Sequence, residues 1–289
     1  MKSKIKNTDK AQILNLYYQK LDNLGLEFEL QTVETTFGDT NVIILENNKK
    51  PQLILVHGFL GCAPFAVETL KGLEKHFKIY AIDVLGEPNL SDTYYLNPEE
   101  KDHSKWFYEV ISRLQVYNAY LVGISLGGFI GLKGLISNSK RFKKAFFINP
   151  TGVVKWNFFK TATHVLLPSI LYKKFYDQKY LLKIYNNLYP KKDVLLLTFL
   201  SEKIKITDID AYNFPLISEN EAKSIQTPFY IIASEDGVIY KGEALIKKAK
   251  KVYHSLQELV FLKNAKHNLS KKECKIVINY ILENTNTER

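Results

Sequence analysis

The strongest constraint on the fold is an alternation of short apolar runs with helix-like stretches. Gln52–Val56 is an apolar run ending at His57-Gly58, and helical spacing follows from Pro64 to His76. Lys78–Asp83 is a second run, followed by helical spacing from Pro98 to Leu114. Tyr120–Gly123 is a third, with a Gly-rich helix over Leu126–Ser137, and Lys144–Ile148 is a fourth, closing at Asn149-Pro150. Runs this short and this apolar predict strands buried on both faces, and their alternation with helices predicts βαβ units in a mainly parallel sheet. The pattern resumes with a strand at Pro228–Ala233, a helix over Tyr240–Tyr253, a strand at Leu256–Leu262 and a closing helix over Lys271–Asn284. Ahead of it, Ile13, Leu14, Leu16, Tyr17, Leu21 and Leu24 have the spacing of an amphipathic helix. Leu26–Thr36 and Asn41–Glu46 then form a hairpin signal around Gly38-Asp39.

The alternation breaks after Pro150. Trp156–Leu200 carries aromatic and aliphatic residues at helix-like intervals, punctuated by Pro168 and Pro190, and the helical character extends loosely to about Ser224. The expectation is an α/β core formed by residues 1–150 and 225–289, with 151–224 inserted after the sixth strand as a helical cap, or lid, over the carboxyl edge of the sheet. That edge is where ligands bind in sheets of this type.

The residues just past the strands are therefore the candidates for chemistry. Gly123-Ile124-Ser125-Leu126-Gly127 is a G-x-S-x-G pattern at a strand-to-helix turn. Glycine two positions to either side removes the Cβ atoms that a tight turn cannot hold, so Ser125 can project its hydroxyl above the sheet at a helix N-terminus. A serine hydroxyl needs a base, and His267 lies just past the last strand, on the same edge. The base needs an orienting carboxylate. Asp236 follows the strand ending at Ala233 and completes the order Ser, Asp, His, with Glu235 beside it as the alternative. Donors for a developing oxyanion are expected from the backbone N–H of Leu126 and of Phe59, in the loop after the first parallel strand. His57 reads as a residue that shapes this loop, not as a base.

These segments together resemble the α/β-hydrolase superfamily, in its carboxylesterase-like branch with a helical cap. The resemblance runs from about Thr35 to Asn284 and is carried by Val56–Phe59, Asp83–Asp92, Gly123–Gly128, Ala233–Ile239 and Ala265–His267. The second segment is similar to a family loop written D-x-x-G-x-G-x-S. Asp83, Gly86 and Ser91 fit it, while Pro88-Asn89 stands at the second glycine. The family commonly has glycine before its catalytic histidine, where this chain has Lys266.

The resemblance implies a serine hydrolase acting on carboxylic esters through Ser125, His267 and Asp236, with an acyl-enzyme intermediate and no metal or other cofactor. Carbon–carbon bond cleavage, perhydrolysis and a ligand-sensing role with little turnover are the alternatives on the same fold. An epoxide hydrolase or dehalogenase is disfavoured, since those relatives have Asp at the position of Ser125. The expected partner is a small ester with an apolar acyl or aryl group. Trp156, Phe158, Phe159, Phe175, Tyr176 and Tyr185 are the aromatic residues that can line its pocket or pack the cap.

Composition narrows the alternatives. The net charge is +10, but the lysines are scattered in pairs, with Lys247–Lys251 alone approaching a run, and no nucleic-acid motif accompanies them. The dispersed charge also argues against a lipase of membrane surfaces. Two distant cysteines, Cys62 and Cys274, do not suggest a disulfide framework. Met1–Lys10 is basic and polar with no apolar run behind it, and no run of about 18 apolar residues occurs, so neither a signal peptide nor a membrane span is expected. A cytoplasmic location follows by default.

Overall fold

The apolar runs pair side by side because each is apolar on both faces and can satisfy its backbone only against another strand. A computed structural model describes residues 7–46, 48–207 and 214–285. The chain opens with α1 (Asn7–Asn23) and the hairpin β1 (Glu29–Thr35) and β2 (Gly38–Leu45). There follow β3 (Gln52–Val56), α2 (Ala63–Thr69), β4 (Lys78–Ile82), α3 (Asp102–Arg113), β5 (Ala119–Ile124), α4 (Leu126–Asn138) and β6 (Phe142–Ile148). A helical stretch comes next: α5 (Phe158–Thr161), a π-helical turn (Ala162–Leu166), α6 (Leu167–Phe175), α7 (Gln178–Leu188), α8 (Val194–Ile206) and α9 (Glu219–Ser224). The chain closes with β7 (Phe229–Ser234), α10 (Gly242–Val252), β8 (Leu256–Leu262) and α11 (Lys271–Thr285).

All eight strands belong to one sheet, in the order β1-β2-β4-β3-β5-β6-β7-β8. The β1–β2 and β2–β4 pairs are antiparallel and every other pair is parallel, so β3 to β8 present their carboxyl ends along one edge. One core, centred on Trp106, Phe107, Phe129 and Phe147, packs α3, α4 and α10 on one face. The other, with Tyr17, Phe65, Phe146 and Val277, packs α1, α2 and α11 on the opposite face. A third cluster, including Val165, Tyr172, Leu181, Ile184 and Leu200, holds the helices between β6 and β7 together, and Leu60 and Val238 join it from loops at the sheet edge.

Apart from element ends that shift by one to three residues, three details differ from the sequence expectation. The hairpin turns at Thr36-Phe37, between the paired Thr35 and Gly38, not around Gly38-Asp39. The helix expected over 64–76 stops at Thr69, because Gly72 takes φ 121° and only a 3₁₀ turn (Leu73–Lys75) follows. The helix expected from Pro98 starts at Asp102. Residues 1–6 of the basic N-terminal segment, and 208–213 within the stretch read as helical, lie outside the described residues. Among those described, no helix is long and apolar enough to cross a membrane.

Candidate active site

Ser125 sits at the turn from β5 into α4 with φ 52° and ψ −107°, a backbone region that a residue with a Cβ enters at a cost of about 1–3 kcal/mol. The surroundings hold it there. Its N–H donates to Ile148 O (2.9 Å), and its carbonyl accepts from the N–H groups of Gly128 (2.9 Å) and Thr151 (3.1 Å). The flanking glycines are sterically required: a Cβ on Gly123 would lie 2.4 Å from Gly127 O, and one on Gly127 would lie 2.1 Å from Val56 O.

His267, in the loop after β8, is buried and brings its Nε2 to 3.1 Å from Ser125 Oγ. Burial away from water pushes its pKa down to about 4, so the ring is neutral at pH 7 and can accept a proton. A hydroxyl hydrogen-bonded to a neutral imidazole is the arrangement that general-base activation requires.

Neighbouring residues fix the backbone of that loop. Asn149, at φ 46° on the end of β6, donates from Nδ2 to His267 O (2.8 Å) and to Ser234 Oγ (2.9 Å), while its Oδ1 accepts from Ser234 N–H (2.8 Å). Lys266 reaches the C-terminal end of α7, donating to Asn186 O (2.6 Å) and Tyr189 O (3.3 Å). Asn268 donates to Leu188 O from its backbone (3.1 Å) and its side chain (3.2 Å). Lysine at a helix C-terminus satisfies carbonyls that the helix leaves open. That is the structural use of Lys266 where the family commonly has glycine.

Asp236 is not joined to this pair. Its side chain is exposed, and among the described residues no carboxylate is hydrogen-bonded to His267. Its backbone lies close by, since Asp236 N–H donates to Ala265 O (2.9 Å), two residues before His267. Glu235 is engaged elsewhere, accepting the Asn264 N–H at 2.8 Å.

The segments that carry the two expected oxyanion donors flank Ser125. Leu126 is the first residue of α4, and a Cβ on Gly58 would lie 3.2 Å from Ser125 Cβ, so the loop carrying Phe59 passes directly beside the serine. His57 shapes that loop. Its Nε2 accepts the Val84 N–H (2.9 Å), which leaves Nδ1 to donate to Gly58 O (2.8 Å), and burial pushes its pKa down to about 3. Asp83 links the end of β4 to the start of α2 by accepting the Ala63 N–H at 2.8 Å. Asn89, at the departure from the family loop, accepts the Ser91 N–H (2.8 Å) and donates to Val84 O (3.0 Å), cross-bracing the turn from within.

Sequence reasoning missed Lys203 and Glu87. Both are buried. Lys203, from α8, donates to Gly61 O (2.5 Å) and lies 3.6 Å from Glu87, whose Oε2 accepts the Leu60 N–H at 3.2 Å. The pair therefore grips the loop just past Phe59, where an oxyanion donor is expected. No local pattern announces it, because the two residues lie on separate elements far apart in the chain. Cys62, beside this loop, is a buried free thiol whose pKa is raised by burial, which is the opposite of what a nucleophilic thiolate needs.

Ser125 and His267 open into a cavity of about 1180 Å³, lined also by Phe59, Thr151, Trp156, Val165 and Tyr240. Of the six aromatic candidates, Trp156 alone lines it. Tyr185 is buried in the α7–α8 cluster, where its hydroxyl accepts the Asp193 N–H at 2.9 Å. Phe158, Phe159 and Phe175 are exposed and do not line the cavity, while Tyr176, also exposed, packs edge-on against Tyr172 of α6 and lies beneath Lys205 of α8.

Comparison with known proteins bears on the fold and on the reaction class. A sequence profile of the alpha/beta hydrolase fold matches residues 51–178. The chain is 25% identical over 273 residues to carboxylesterase YbfK of Bacillus subtilis, covering 92% of this chain and 90% of that protein. It is 24% identical over 264 residues to an uncharacterized carboxylesterase, nap, of the same organism, covering 89% and 86%. The crystal structure of carboxylesterase CesB (YbfK) from Bacillus subtilis superposes with a TM-score of 0.82 at 23% identity, covering 95% of this chain and 97% of that one. The chain has the α/β-hydrolase fold and is similar to carboxylesterases over most of its length.

Proposed function

We propose that this protein hydrolyses carboxylic esters of small molecules with an apolar acyl or aryl group, using Ser125 as nucleophile and His267 as base. The observation that carries the reading is the 3.1 Å approach of a neutral, buried His267 Nε2 to Ser125 Oγ at a strained strand-to-helix turn. Relatives named as carboxylesterases at 24–25% identity over most of the chain support the reaction class.

As Ser125 Oγ attacks the ester carbonyl carbon, its proton passes to His267 Nε2. The negative charge that develops on the carbonyl oxygen is met by the N–H groups of Phe59 and Leu126. Collapse of the tetrahedral species breaks the bond to the alcohol oxygen, which takes the proton from His267, and leaves an acyl group on Ser125. A water molecule then gives its proton to His267 as it attacks the acyl carbon, and the acid departs as Ser125 regains its proton.

Asp236 is the third member in this reading. Its backbone is tied to the His267 loop, so a side-chain rotation that brings the carboxylate to Nδ1 would complete the triad when substrate binds. Hydrogen bonds of this kind often tighten only in the substrate complex. Residues 151–224 serve as the cap, with Trp156 and Val165 facing the acyl or aryl group across the cavity.

The test is turnover of p-nitrophenyl esters from acetate to octanoate by the parent and by Ser125→Ala. The expected result is saturable turnover in the parent and a loss on the order of 10³-fold or more in the variant. Undiminished turnover in Ser125→Ala would sink the reading.

A further inference from the structure

The four exposed aromatic residues that do not line the cavity belong to a larger outward surface. From Phe158 to Phe175 the chain is helical throughout, with the π turn in the middle. Its inward side is ordinary: Thr161, Val165 and Tyr172 are buried, and Thr161, Val165 and Leu166 line the cavity that holds Ser125. Its outward side is not. Phe159, Thr163, Leu167, Ile170 and Lys174 recur at intervals of four, four, three and four residues, and all five are exposed. Phe159 is 80% exposed, and Leu167 and Ile170 are each 52% exposed. Phe158 (68%), Phe175 (56%) and Tyr176 (60%) extend this surface at the two ends. A helix on a globular protein normally turns polar residues to water, and a contiguous apolar stripe there marks a surface that binds something.

Charge says what kind of partner fits. Residues 155–183 contain six lysines (Lys155, Lys160, Lys173, Lys174, Lys179 and Lys183) and one acidic residue, Asp177. That single carboxylate is already paired with Lys179 at 2.8 Å. Within this stretch of sequence the positive charge that is dispersed over the chain as a whole is nearly unopposed, and Lys160 and Lys174 are exposed beside the apolar residues. Apolar side chains flanked by lysines are the composition of helices that lie in the interface of an anionic bilayer without crossing it.

We propose that the outward face of the helical stretch 158–176 docks on an anionic lipid surface. The helix lies between that surface and the cavity, so a lipophilic ester dissolved in the membrane would reach Ser125 around a single layer of helix. The delivery step rests on the esterase reading; the docking itself does not. Peripheral docking of this kind needs no spanning helix.

Docking is therefore measured on full-length Ser125→Ala, whose behaviour is independent of turnover. The protein is co-sedimented with extruded vesicles of phosphatidylcholine alone, or of phosphatidylcholine with 30% phosphatidylglycerol, at low and at high salt. The expected result is partition onto the anionic vesicles that weakens steeply as salt rises. Adding Phe159→Ser and Ile170→Ser should lower that partition at least tenfold, and adding Lys160→Gln and Lys174→Gln should lower it by about thirtyfold. All four side chains are on the surface, and an unchanged circular-dichroism spectrum and melting temperature would verify that the fold survives. Absence of binding to anionic vesicles, equal binding to both vesicle types, or binding indifferent to these substitutions would overturn the proposal. So would a dimer in light scattering that Phe159→Ser dissolves while vesicles go unbound, since the face would then cover a second copy of the chain.

Discussion

Removing the ammonium of Lys203 should destabilise the protein more than any surface substitution. Lys203 and Glu87 are both buried, with exposures of 0% and 1%, and their charges lie 3.6 Å apart. In Lys203→Met the apolar replacement fills much of the same space, but the Glu87 carboxylate loses its counter-charge, and its Oε1 already has no hydrogen-bond partner among the described residues. Breaking one side of a buried pair costs about 3–5 kcal/mol, which for a chain of this size lowers the melting temperature by roughly 6–20 °C. Adding Glu87→Gln removes the stranded charge while keeping an oxygen for the Leu60 N–H, so the double variant should recover most of the loss. The sign of the pH dependence follows. Burial already raises the pKa of Glu87 and Lys203 holds it down, so without Lys203 the folded-state value rises further above the unfolded one. The penalty in Lys203→Met is then largest above the ordinary carboxylate range and shrinks as the pH falls and Glu87 takes up a proton. Thermal melts of the parent, both single variants and the double variant, at pH 7.5 and 5.5, measure all of this. A loss under about 1 kcal/mol in Lys203→Met, or a double variant no more stable than the single one, would refute the reasoning.

Asp236→Asn should lower kcat by on the order of 10³-fold, and Glu235→Gln by less than about tenfold, since Glu235 is occupied with the Asn264 N–H; steady-state kinetics that give the reverse order would assign the orienting role to Glu235. The acid limb of kcat/KM, which reports the free enzyme, should lie near the His267 value of about 4, whereas the limb of kcat should lie one to three pH units higher if Asp236 swings in. Coincident limbs in the parent, with Asp236→Asn fully active, would remove Asp236 from the mechanism. His57, His103 and His267 are held neutral by burial, with pKa values down to about 3, 3 and 4, so the unfolded chain binds more protons than the native one below about pH 6.5. Stability should therefore fall as the pH drops from 6.5, by roughly 2 kcal/mol per histidine at pH 5, and chemical denaturation showing no loss over that range would contradict the burial of these rings.

The sheet and the serine turn were legible because their causes are local. β3 and β8 occupy the residues expected of them, 52–56 and 256–262, since a buried strand must be a short apolar run between turns. Gly123 and Gly127 could be read as sterically required because the clash that excludes a side chain arises within one turn and the adjoining strand. Other features depend on contacts between distant parts of the chain. The Lys203–Glu87 grip joins α8 to the loop after β4, and neither residue stands out in its own segment. Asn149 was visible as the end of a strand, but its hold on His267 O needs the spatial order of β6, β7 and β8. The exposure of Phe158, Phe159 and Phe175 depends on distant contacts in the same way. Helical spacing shows that residues share a face, but not which face turns inward. The side chain of Asp236 is exposed, and a chain-order argument carries no information about where it points.

The central claim is that Ser125 is the residue that becomes acylated. Its most direct test is intact-mass analysis of the protein after treatment with a fluorophosphonate, followed by peptide mapping of the adduct. One phosphonyl group per chain, located on Ser125 and absent from Ser125→Ala, is the result expected of a serine hydroxyl 3.1 Å from a neutral imidazole. No adduct, or an adduct on another residue that persists in Ser125→Ala, would contradict it.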